Sequence, residues 1–410
     1  MKKLRKLACV LALILVLAIP APAISVAGLN SGTYYIPGSP IQTESAYLAG
    51  STYGDVASNW LTTAPNIGNY DYSFSVMGDI QIVNNYFPDE LSKLFDYVVD
   101  NAAARNTKFC FNMGDITDKD KTEEWVRAKE GYDRVGKLMP YSLLRGNHDG
   151  RAQMEKYFGG NSAYMNSVDG SYMGKSYMTY QTFSVGIHKY LVLTLDWFVD
   201  EIHLQWANDI ISAHPDYNAI VCVHCFLGKA SQTATTVAPT QPSYPFTQSS
   251  YTYNLDINNT DHATNPSLDG IDIWNALKGN KNLKLILSGH IAFDDVGYWE
   301  GTGTNGNKVV ALLVCPQDVD VSVAYGSGSW KFPTTSAAYQ AGKTGSYNGM
   351  GAGIMTTLYI DSSDDSFFVE HYSVLQQKWF KSSSQFSFNL DLISINDNST
   401  GSLYTPVIGM

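Results

Sequence analysis

Three turns decide how this 410-residue chain folds: Gly78-Asp79-Ile80-Gln81, Gly114-Asp115-Ile116-Thr117-Asp118 and Gly146-Asn147-His148-Asp149. Each turn follows an apolar run of strand length, and the three runs are Tyr72–Met77, Thr107–Met113 and Met139–Leu144. A glycine at such a point lets the backbone turn sharply, so that the acidic or amide residue after it projects from the edge of a sheet. The pattern therefore predicts three strands that each present a polar side chain where the strand ends.

Two histidines further along the chain occupy the same kind of position. His224 directly follows the apolar run Ala219–Val223, and His290 follows Leu285–Gly289. Parallel strands of one open α/β sheet would bring their carboxyl ends to a shared crevice. That crevice would collect carboxylate, amide and imidazole groups, which together suit a divalent cation such as Mn, Fe or Zn. We therefore expect a two-metal site of the kind that hydrolyses phosphoesters.

Helix patterns separate most of these strands. Pro88 suits the first position of a helix, and apolar residues recur at helical spacing from there to Ala102. Further helices are expected at about Thr122–Val135, Glu201–Ala213 and Ile271–Leu277, with a short one possible at Gly54–Trp60. A helix between two strands predicts a parallel strand pair.

The remaining patterns are those of strands. Tyr177–Ser184 and Lys189–Leu195 predict two strands joined by a turn at Gly186. Beyond His290 the chain becomes all-β, and the predicted strands are Val296–Trp299, Lys308–Val314, Ile354–Ile360, Ser366–Ser373 and Gln385–Asn389.

The five motifs, in this order, resemble those of the calcineurin-like metallophosphoesterases. In this chain they read GD-x-Q from Gly78, GD-x-x-D from Gly114, GNHD from Gly146, the strand-terminal His224 and GH from Gly289, and the resemblance covers about Tyr72 to Leu392. It implies an α/β fold, a four-layer α-β-β-α sandwich with two mixed sheets flanked by helices. The strands after His290 would form the second sheet.

The resemblance also divides the chain into segments. A metallophosphoesterase domain would span 72–395, with an insertion at about 231–269. An irregular segment at 28–71 would pack on this core, and 396–410 would be a C-terminal tail.

The resemblance implies a role for each polar residue of the motifs. Asp115 would bridge two metal ions. Asp79 and Gln81 would bind the first ion, and Asn147, His224 and His290 would complete the second site. His148 would protonate the leaving oxygen, because imidazole titrates near neutrality, and either Asp118 or Asp149 would orient it. Asn147 and His148 would also contact the substrate phosphate. Lys119 would either join them there or be a solvated residue at a helix start.

The first metal site departs from the family pattern at two positions. Gln81 stands where a histidine is usual, and Ala292 replaces the second histidine of Gly-His-x-His. The loss of two nitrogen donors predicts a weak or exchangeable first site that favours Mg or Mn, unless Asp294 or Asp295 substitutes. The expected cofactors are therefore two divalent ions (Mn, Fe, Zn or Mg). The same departures support an alternative function, a catalytically weakened scaffold that acts as a binding protein.

The first residues predict export. A basic start precedes the apolar stretch Leu7–Ile19, and small-residue cleavage patterns follow at Ala21-Pro22-Ala23 and Ser25-Val26-Ala27. About thirteen apolar residues are too few to span a bilayer comfortably, so a signal peptide at 1–27 is favoured over an uncleaved anchor. The expected product is a secreted protein of bacterial type, with no stable membrane anchor after cleavage.

Charge narrows the range of partners. Without its first 27 residues the chain has 23 basic residues against 38 acidic ones, a net charge of −15. An acidic surface repels polyphosphate backbones and so disfavours nucleic acid as an obligate partner. A small phosphorylated substrate remains compatible, because bound metal ions would reverse the local charge.

Two further features remain open in the sequence. Cys222-Val223-His224-Cys225 resembles a zinc or redox pair, although such pairs usually open a helix and this one closes a strand. The polar insertion at 231–269 is either an ordered surface excursion or a flap over the pocket. Its candidate substrate contacts are Tyr244, Tyr251, Tyr253 and His262.

Overall fold

The structure is a computed structural model that describes residues 60–197, 199–228, 244–245, 270–291, 295–318, 352–380 and 384–395. All of these residues belong to one compact unit of the chain, 36–410. The strands and helices up to residue 213 are β1 (Trp60–Leu61), β2 (Tyr72–Met77), α1 (Gln81–Tyr86), α2 (Pro88–Asn101), β3 (Thr107–Asn112), α3 (Thr122–Val135), α4 (Arg151–Phe158), β4 (Gly170–Ser171), β5 (Thr179–Val185), β6 (His188–Leu195) and α5 (Glu201–Ala213). Those that follow are β7 (Asn218–Val223), β8 (Leu227–Gly228), β9 (Tyr244–Pro245), α6 (Gly270–Leu277), β10 (Leu283–Ser288), β11 (Gly297–Thr302), β12 (Lys308–Leu313), β13 (Ile354–Asp361), β14 (Ser366–Ser373), β15 (Lys378–Phe380) and β16 (Phe386–Asn389).

Two mixed seven-stranded sheets form the inner layers. The first sheet has the order β1-β15-β14-β13-β2-β3, with β16 paired to β14, and the second has the order β11-β12-β10-β7-β6-β5-β4. The strands β2 and β3 are parallel in the first sheet, and β6, β7, β10 and β12 are parallel in the second. The carboxyl ends of β2, β3, β7 and β10 lead to the motif residues Asp79, Asp115, His224 and His290.

Alternation along the strands divides the core into an inner and an outer part. Phe74 and Val76 of β2 pack with Tyr190 and Val192 of β6 in a cluster between the two sheets. Intervening strand residues such as Leu191 pack with apolar helix residues in a second cluster. Both faces of the sheets are thus buried, one against the other sheet and one against helices, and the predicted four-layer α/β sandwich is confirmed.

The prediction of one open sheet for all five motif strands is wrong. The strands ahead of Asp79 and Asp115 lie in the first sheet, whereas those ahead of His224 and His290 lie in the second. Every residue of β2, β7 and β10 is buried. A run that is buried on both faces identifies an inner strand but does not identify its neighbours.

The expectation that the strands after His290 form the second sheet is also wrong. β11 and β12 extend the second sheet, but β13 to β16 complete the first one beside β2. The β13–β2 pairing is antiparallel and joins segments that are nearly three hundred positions apart, such as Thr356 with Val76. Pairing at that separation is decided by the shared inner core, which no local pattern reveals.

Two local predictions also differ from the structure, and two elements were not predicted. Met139–Leu144 makes only an isolated parallel bridge, between Tyr141 and Cys110, instead of a strand. Trp60, the last residue of the possible short helix, lies in β1 opposite Phe380, and residues 54–59 lie outside the described part. The sequence did not predict α4 and β15, since elements of eight and three residues are too short to establish a period.

Several predicted segments lie outside the described residues. They include the signal peptide 1–27 and the tail 396–410. In the insertion only β9 is described, and it pairs with β8, which begins three residues after His224. Tyr251, Tyr253 and His262 therefore have no described position. Among the described residues, no helix combines the length and apolar character needed to cross a membrane.

Candidate metal centre

Four polar residues meet where the carboxyl ends of the two sheets adjoin. Asn147 Oδ1 lies 2.9 Å from His290 Nδ1 and 3.2 Å from His224 Nε2. His224 Nε2 in turn lies 3.4 Å from Asp115 Oδ1. The ligand atoms of Asp115, His224 and His290 all fall within 4.8 Å of one another, so these side chains could hold one metal ion with Asn147. They are the residues predicted for the second metal.

The hydrogen bonds of His224 decide which ring nitrogen faces this group. Its Nδ1 lies 2.5 Å from the carbonyl oxygen of Met113, and since a carbonyl only accepts, Nδ1 carries the proton. Nε2 then points towards the oxygens of Asp115 and Asn147, which are also acceptors. A positive charge at this point, either a proton or a metal ion, satisfies all three atoms. Metal-ligating histidines are commonly oriented by a carbonyl in this way.

Burial and charge oppose each other in the centre. Burial is the largest single effect on Asp115 and would raise its pKa, but the charge and hydrogen bond of His224, together with the charges of His148 and His290, lower that pKa to about 2. Burial would lower the pKa of His224, yet Asp115 and Asp79 raise it to about 9. Burial, together with the His224 charge, lowers the pKa of His290 to about 3, so its ring is neutral at pH 7. The centre thus presents the ionised carboxylate of Asp115 and the neutral imidazole of His290 at pH 7, and both can act as donors to a cation.

The turns that carry the ligands have an uncommon backbone. Asp115 and His290 have φ values of +45° and +66°, in the left-handed region that non-glycine residues rarely adopt. Gly146 is required by close approach, because a Cβ there would lie 2.1 Å from Asp115 Oδ1. Such local strain is concentrated at functional sites.

Asp79, which is predicted to bind the first metal together with Gln81, lies beside this group. The Asp79 carboxylate is almost buried and accepts hydrogen bonds from the backbone N–H of His290 at 3.0 Å and from Cys315 Sγ at 3.1 Å. Gln81 opens α1, is 3% exposed, and its Oε1 has no hydrogen-bond partner among the described residues. A buried amide oxygen without a partner costs free energy, and a bound cation would remove that cost. The residues therefore fit a first metal ion.

His148 is attached to the centre through its backbone and to Asp118 through its ring. Its N–H donates to Asp115 Oδ1 at 3.0 Å, and its Nδ1 lies 2.9 Å from the carbonyl oxygen of Asp118 and 3.4 Å from its Oδ1. This leaves Nε2 as the ring nitrogen directed away from Asp118. Lys119 Nζ lies 3.1 Å from Asp118 Oδ2 on a half-exposed side chain, so its charge is close to the same ring.

The Asp149 carboxylate binds backbone N–H groups of the motif turns and not the ring of His148. It accepts hydrogen bonds from the backbone N–H groups of Ile116, Thr117 and Gly146 at 2.8–3.0 Å, and from the Thr117 hydroxyl. Asp149 thus fastens the second motif turn to the third. Of the two candidates for orienting His148, the described contacts support Asp118 alone.

Asp149→Asn is therefore expected to act on stability and loop position. The side-chain NH₂ of the asparagine would face the backbone N–H groups that now donate to the carboxylate. A buried donor left without a partner costs about 1–3 kcal/mol. Urea unfolding should show a decrease of that size in the free energy of unfolding, against no more than about 0.5 kcal/mol for the surface variant Asp133→Asn. An unchanged free energy of unfolding would contradict the fastening role.

A buried ion-pair cluster supports the third motif from behind. Arg145 donates to Asp196 Oδ1 at 2.6 Å and to the Asp149 carbonyl at 2.9 Å. Arg151 binds the other oxygen of Asp196 at 2.6 Å. The residue after Asp196, Trp197, packs its ring against both imidazoles, with centroids 5.2 Å from His224 and 4.6 Å from His290.

Neither Asp196 nor Trp197 was predicted from the sequence as part of the site. A signal was present, because Asp196 follows the strand β6 just as the other motif residues follow theirs. Neither residue matched a family motif, however, and tryptophan is usually read as core.

Among the described residues, the other candidates are not part of the group formed by Asp115, His224 and His290. Cys222 packs in the cluster between the sheets, whereas Cys225 packs against the outer cluster, so the two thiols do not share one site. Burial also raises the pKa of the Cys222 thiol, which makes it a poor nucleophile. Asp295 accepts a hydrogen bond from Ser384 Oγ at 2.8 Å, and Asp294 lies outside the described residues.

Comparison with known proteins identifies the family. A model of the calcineurin-like phosphoesterases matches residues 72–310. The chain belongs to the calcineurin-like phosphoesterase family, and the resemblance drawn from the five motifs is confirmed.

The individual proteins that resemble this chain share only a low sequence identity with it. An uncharacterised protein of Bacillus subtilis (strain 168), YvnB, is 27% identical over 164 residues, which are 38% of this chain and 13% of that protein. Among solved structures, a dimetal phosphatase from Danio rerio is 11% identical with a TM-score of 0.44 over 78% of this chain and 100% of its own. A 5'-nucleotidase precursor from Thermus thermophilus is 10% identical with a TM-score of 0.35 over 78% of this chain and 54% of its own.

Proposed function

We propose that this chain is a metal-dependent phosphoesterase that hydrolyses phosphomonoesters or phosphodiesters. The observation that carries the proposal is the convergence of Asp115, Asn147, His224 and His290 at hydrogen-bonding distances, with His148 attached to the same carboxylate. Membership of the calcineurin-like phosphoesterase family supports it.

The side chains divide into two ligand sets. Asn147, His224 and His290 would hold one divalent ion, and Asp79 and Gln81 would hold the other, with Asp115 shared between them. When bound, such a pair of ions activates a water molecule and neutralises charge on the phosphoryl oxygens. The metal is Mn, Fe, Zn or Mg on the chemistry of these donors.

His148 would supply the proton for the leaving oxygen. The Asp118 carbonyl accepts from Nδ1, so that Nε2 can carry the transferable proton, and the Asp118 carboxylate 3.4 Å away stabilises the charged ring. Asn147 and Lys119 would contact the substrate phosphate with His148, Lys119 as a mobile positive charge on a half-exposed side chain.

Asn147→Ala tests the proposal. The variant removes the oxygen that both histidines approach, and we expect the rate of bis-p-nitrophenyl phosphate hydrolysis with added Mn²⁺ to fall at least about a hundredfold. Asn166→Ala, an exposed asparagine outside the centre, is the matched control and should keep full activity. Unchanged activity in Asn147→Ala would rule out this ligand set.

A binding protein on the same scaffold is the second candidate. The presence of Gln81 and Ala292 in place of two usual histidines favours it, because the first site then has fewer nitrogen donors. A wild-type chain that binds one metal ion but turns over neither phosphomonoesters nor phosphodiesters, with Mn²⁺ or Mg²⁺, would support binding over catalysis.

We also propose that the chain is exported. The support is the basic start followed by Leu7–Ile19 and the two small-residue cleavage patterns. The intact mass of the protein recovered from culture medium should correspond to a chain that begins after Ala23 or Ala27.

A further inference from the structure

Cys315 lies at the same edge of the second sheet as the candidate metal centre. It follows the end of β12 by two residues, and β12 runs parallel to β10, whose carboxyl end leads to His290. The side chain is fully buried, and its Sγ lies 3.1 Å from Oδ2 of Asp79. In the sequence this cysteine resembles a small core residue, but the structure brings its sulfur to a predicted metal ligand.

The sulfur–oxygen distance fits two donors on one ion. Zinc bonds of about 2.3 Å to sulfur and about 2.1 Å to oxygen put the donor atoms about 3.1 Å apart at a right angle and about 3.6 Å apart at a tetrahedral angle. The observed separation of 3.1 Å lies at the short end of this range.

Two amide oxygens nearby point independently to a ligand. Gln81 Oε1 is buried on a side chain that is 3% exposed, and Gln317 Oε1 is also buried. Neither oxygen has a hydrogen-bond partner among the described residues. Gln317 lines the same cavity as Asp79, and the short helix Pro316–Asp318 that carries it packs against α1, which begins with Gln81. The surroundings of Asp79 and Cys315 thus contain oxygen donors with unused capacity.

We propose that Cys315 is a ligand of the first metal ion, together with Asp79. The inference rests on the proposed two-metal phosphoesterase, and it assigns a donor that compensates for the histidine missing at Ala292. On binding, the metal–sulfur bond forms as the thiol releases its proton to solvent. A thiolate makes the site softer, so it selects Zn or Fe instead of the Mg or Mn expected from the lost histidines.

Cobalt titration under reducing conditions tests this assignment. Co²⁺ bound by a thiolate gives a near-ultraviolet sulfur-to-cobalt charge-transfer band, which oxygen and nitrogen ligands alone do not give. We expect the band in the wild-type chain and its loss in Cys315→Ser. The variant should also bind the second Co²⁺ ion with at least about tenfold lower affinity. The serine keeps the size of the side chain and a hydroxyl that can donate to Asp79, so the fold and the carboxylate position are retained. Cys110→Ser, at an equally buried thiol in β3, should keep the band.

The outcomes separate this inference from the proposed function. Two bound Co²⁺ ions and turnover without a charge-transfer band in the wild type would overturn the Cys315 assignment and leave the phosphoesterase standing. A band that survives in Cys315→Ser would overturn the assignment as well. A band that depends on Cys315, in a chain that hydrolyses neither ester, would support the ligand and count against the enzyme. Should Cys315→Ser fail to fold, X-ray absorption spectroscopy of the Zn²⁺-loaded wild type decides: we expect a zinc–sulfur distance of about 2.3 Å, and a spectrum that shows oxygen and nitrogen neighbours only would contradict the assignment.

Discussion

Asp115→Asn is expected to lower the turnover number for bis-p-nitrophenyl phosphate by roughly a thousandfold. The carboxylate lies 3.4 Å from His224 Nε2 and accepts the backbone N–H of His148, so it is adjacent to both proposed ligand sets and to the proposed acid. An amide in its place removes the negative charge that would separate two cations. The stabilisation lost is several kcal/mol, and each 1.4 kcal/mol or so corresponds to about tenfold in rate.

Metal content and rate should be measured on the same preparations. We expect the Asp115→Asn chain to bind fewer than two ions at Mn²⁺ concentrations that fill the wild type. The matched control is Asp133→Asn on α3, where an exposed carboxylate is paired with Lys129 and should not affect turnover. A variant that binds two ions and retains wild-type turnover would exclude Asp115 as the shared ligand.

The sequence predicted the local structure best where the pattern is long and periodic. The helices Thr122–Val135 and Glu201–Ala213 and the strand Ser366–Ser373 have the predicted bounds. Each combines a regular apolar period with a clear start or end, such as Asp200 as the N-cap whose side chain accepts from the His203 N–H.

The partition of the strands into two sheets could not be predicted in the same way. In β7 the run Ala219–Val223 is apolar at every position, so the alternation that would show which face meets which partner is absent from the sequence. The partners are selected by aromatic contacts between distant segments, such as Phe74 with Tyr190 at 5.2 Å.

The same distinction holds within the candidate site. Residues such as Asp115 and Asn147 could be predicted because a glycine turn after an apolar run is visible in the sequence. The role of Asp149 depended on which backbone N–H groups reach it from a turn over thirty positions earlier, and that is a three-dimensional fact. The proposed role of Cys315 could not be predicted for a similar reason. A cysteine after an apolar strand has the sequence pattern of a core residue, and only the structure shows its contact with Asp79.

His148→Ala should have an effect that depends on the leaving group. A general acid contributes about 10²–10⁴-fold when the departing oxygen needs a proton. An alkyl phosphate ester has such a leaving group, whereas p-nitrophenolate departs readily as the anion. We therefore expect a loss of about a hundredfold or more with an alkyl ester and of less than about tenfold with the p-nitrophenyl ester. His203→Ala, a histidine at the start of α5 that pairs with Asp200, is the control and should leave both rates unchanged.

Leaving-group dependence separates proton donation from other roles of the same residue. If His148 served only to hold the phosphate or to fasten its loop to Asp115, its loss would slow both esters by a similar factor. Equal losses would therefore contradict the general-acid role while leaving the metal centre intact. Asp118→Asn provides a second comparison, because it removes the carboxylate 3.4 Å from Nδ1 but keeps the carbonyl that accepts the Nδ1 proton. Since the ring would keep its orientation and lose only its charged partner, Asp118→Asn should reproduce the leaving-group pattern in weaker form.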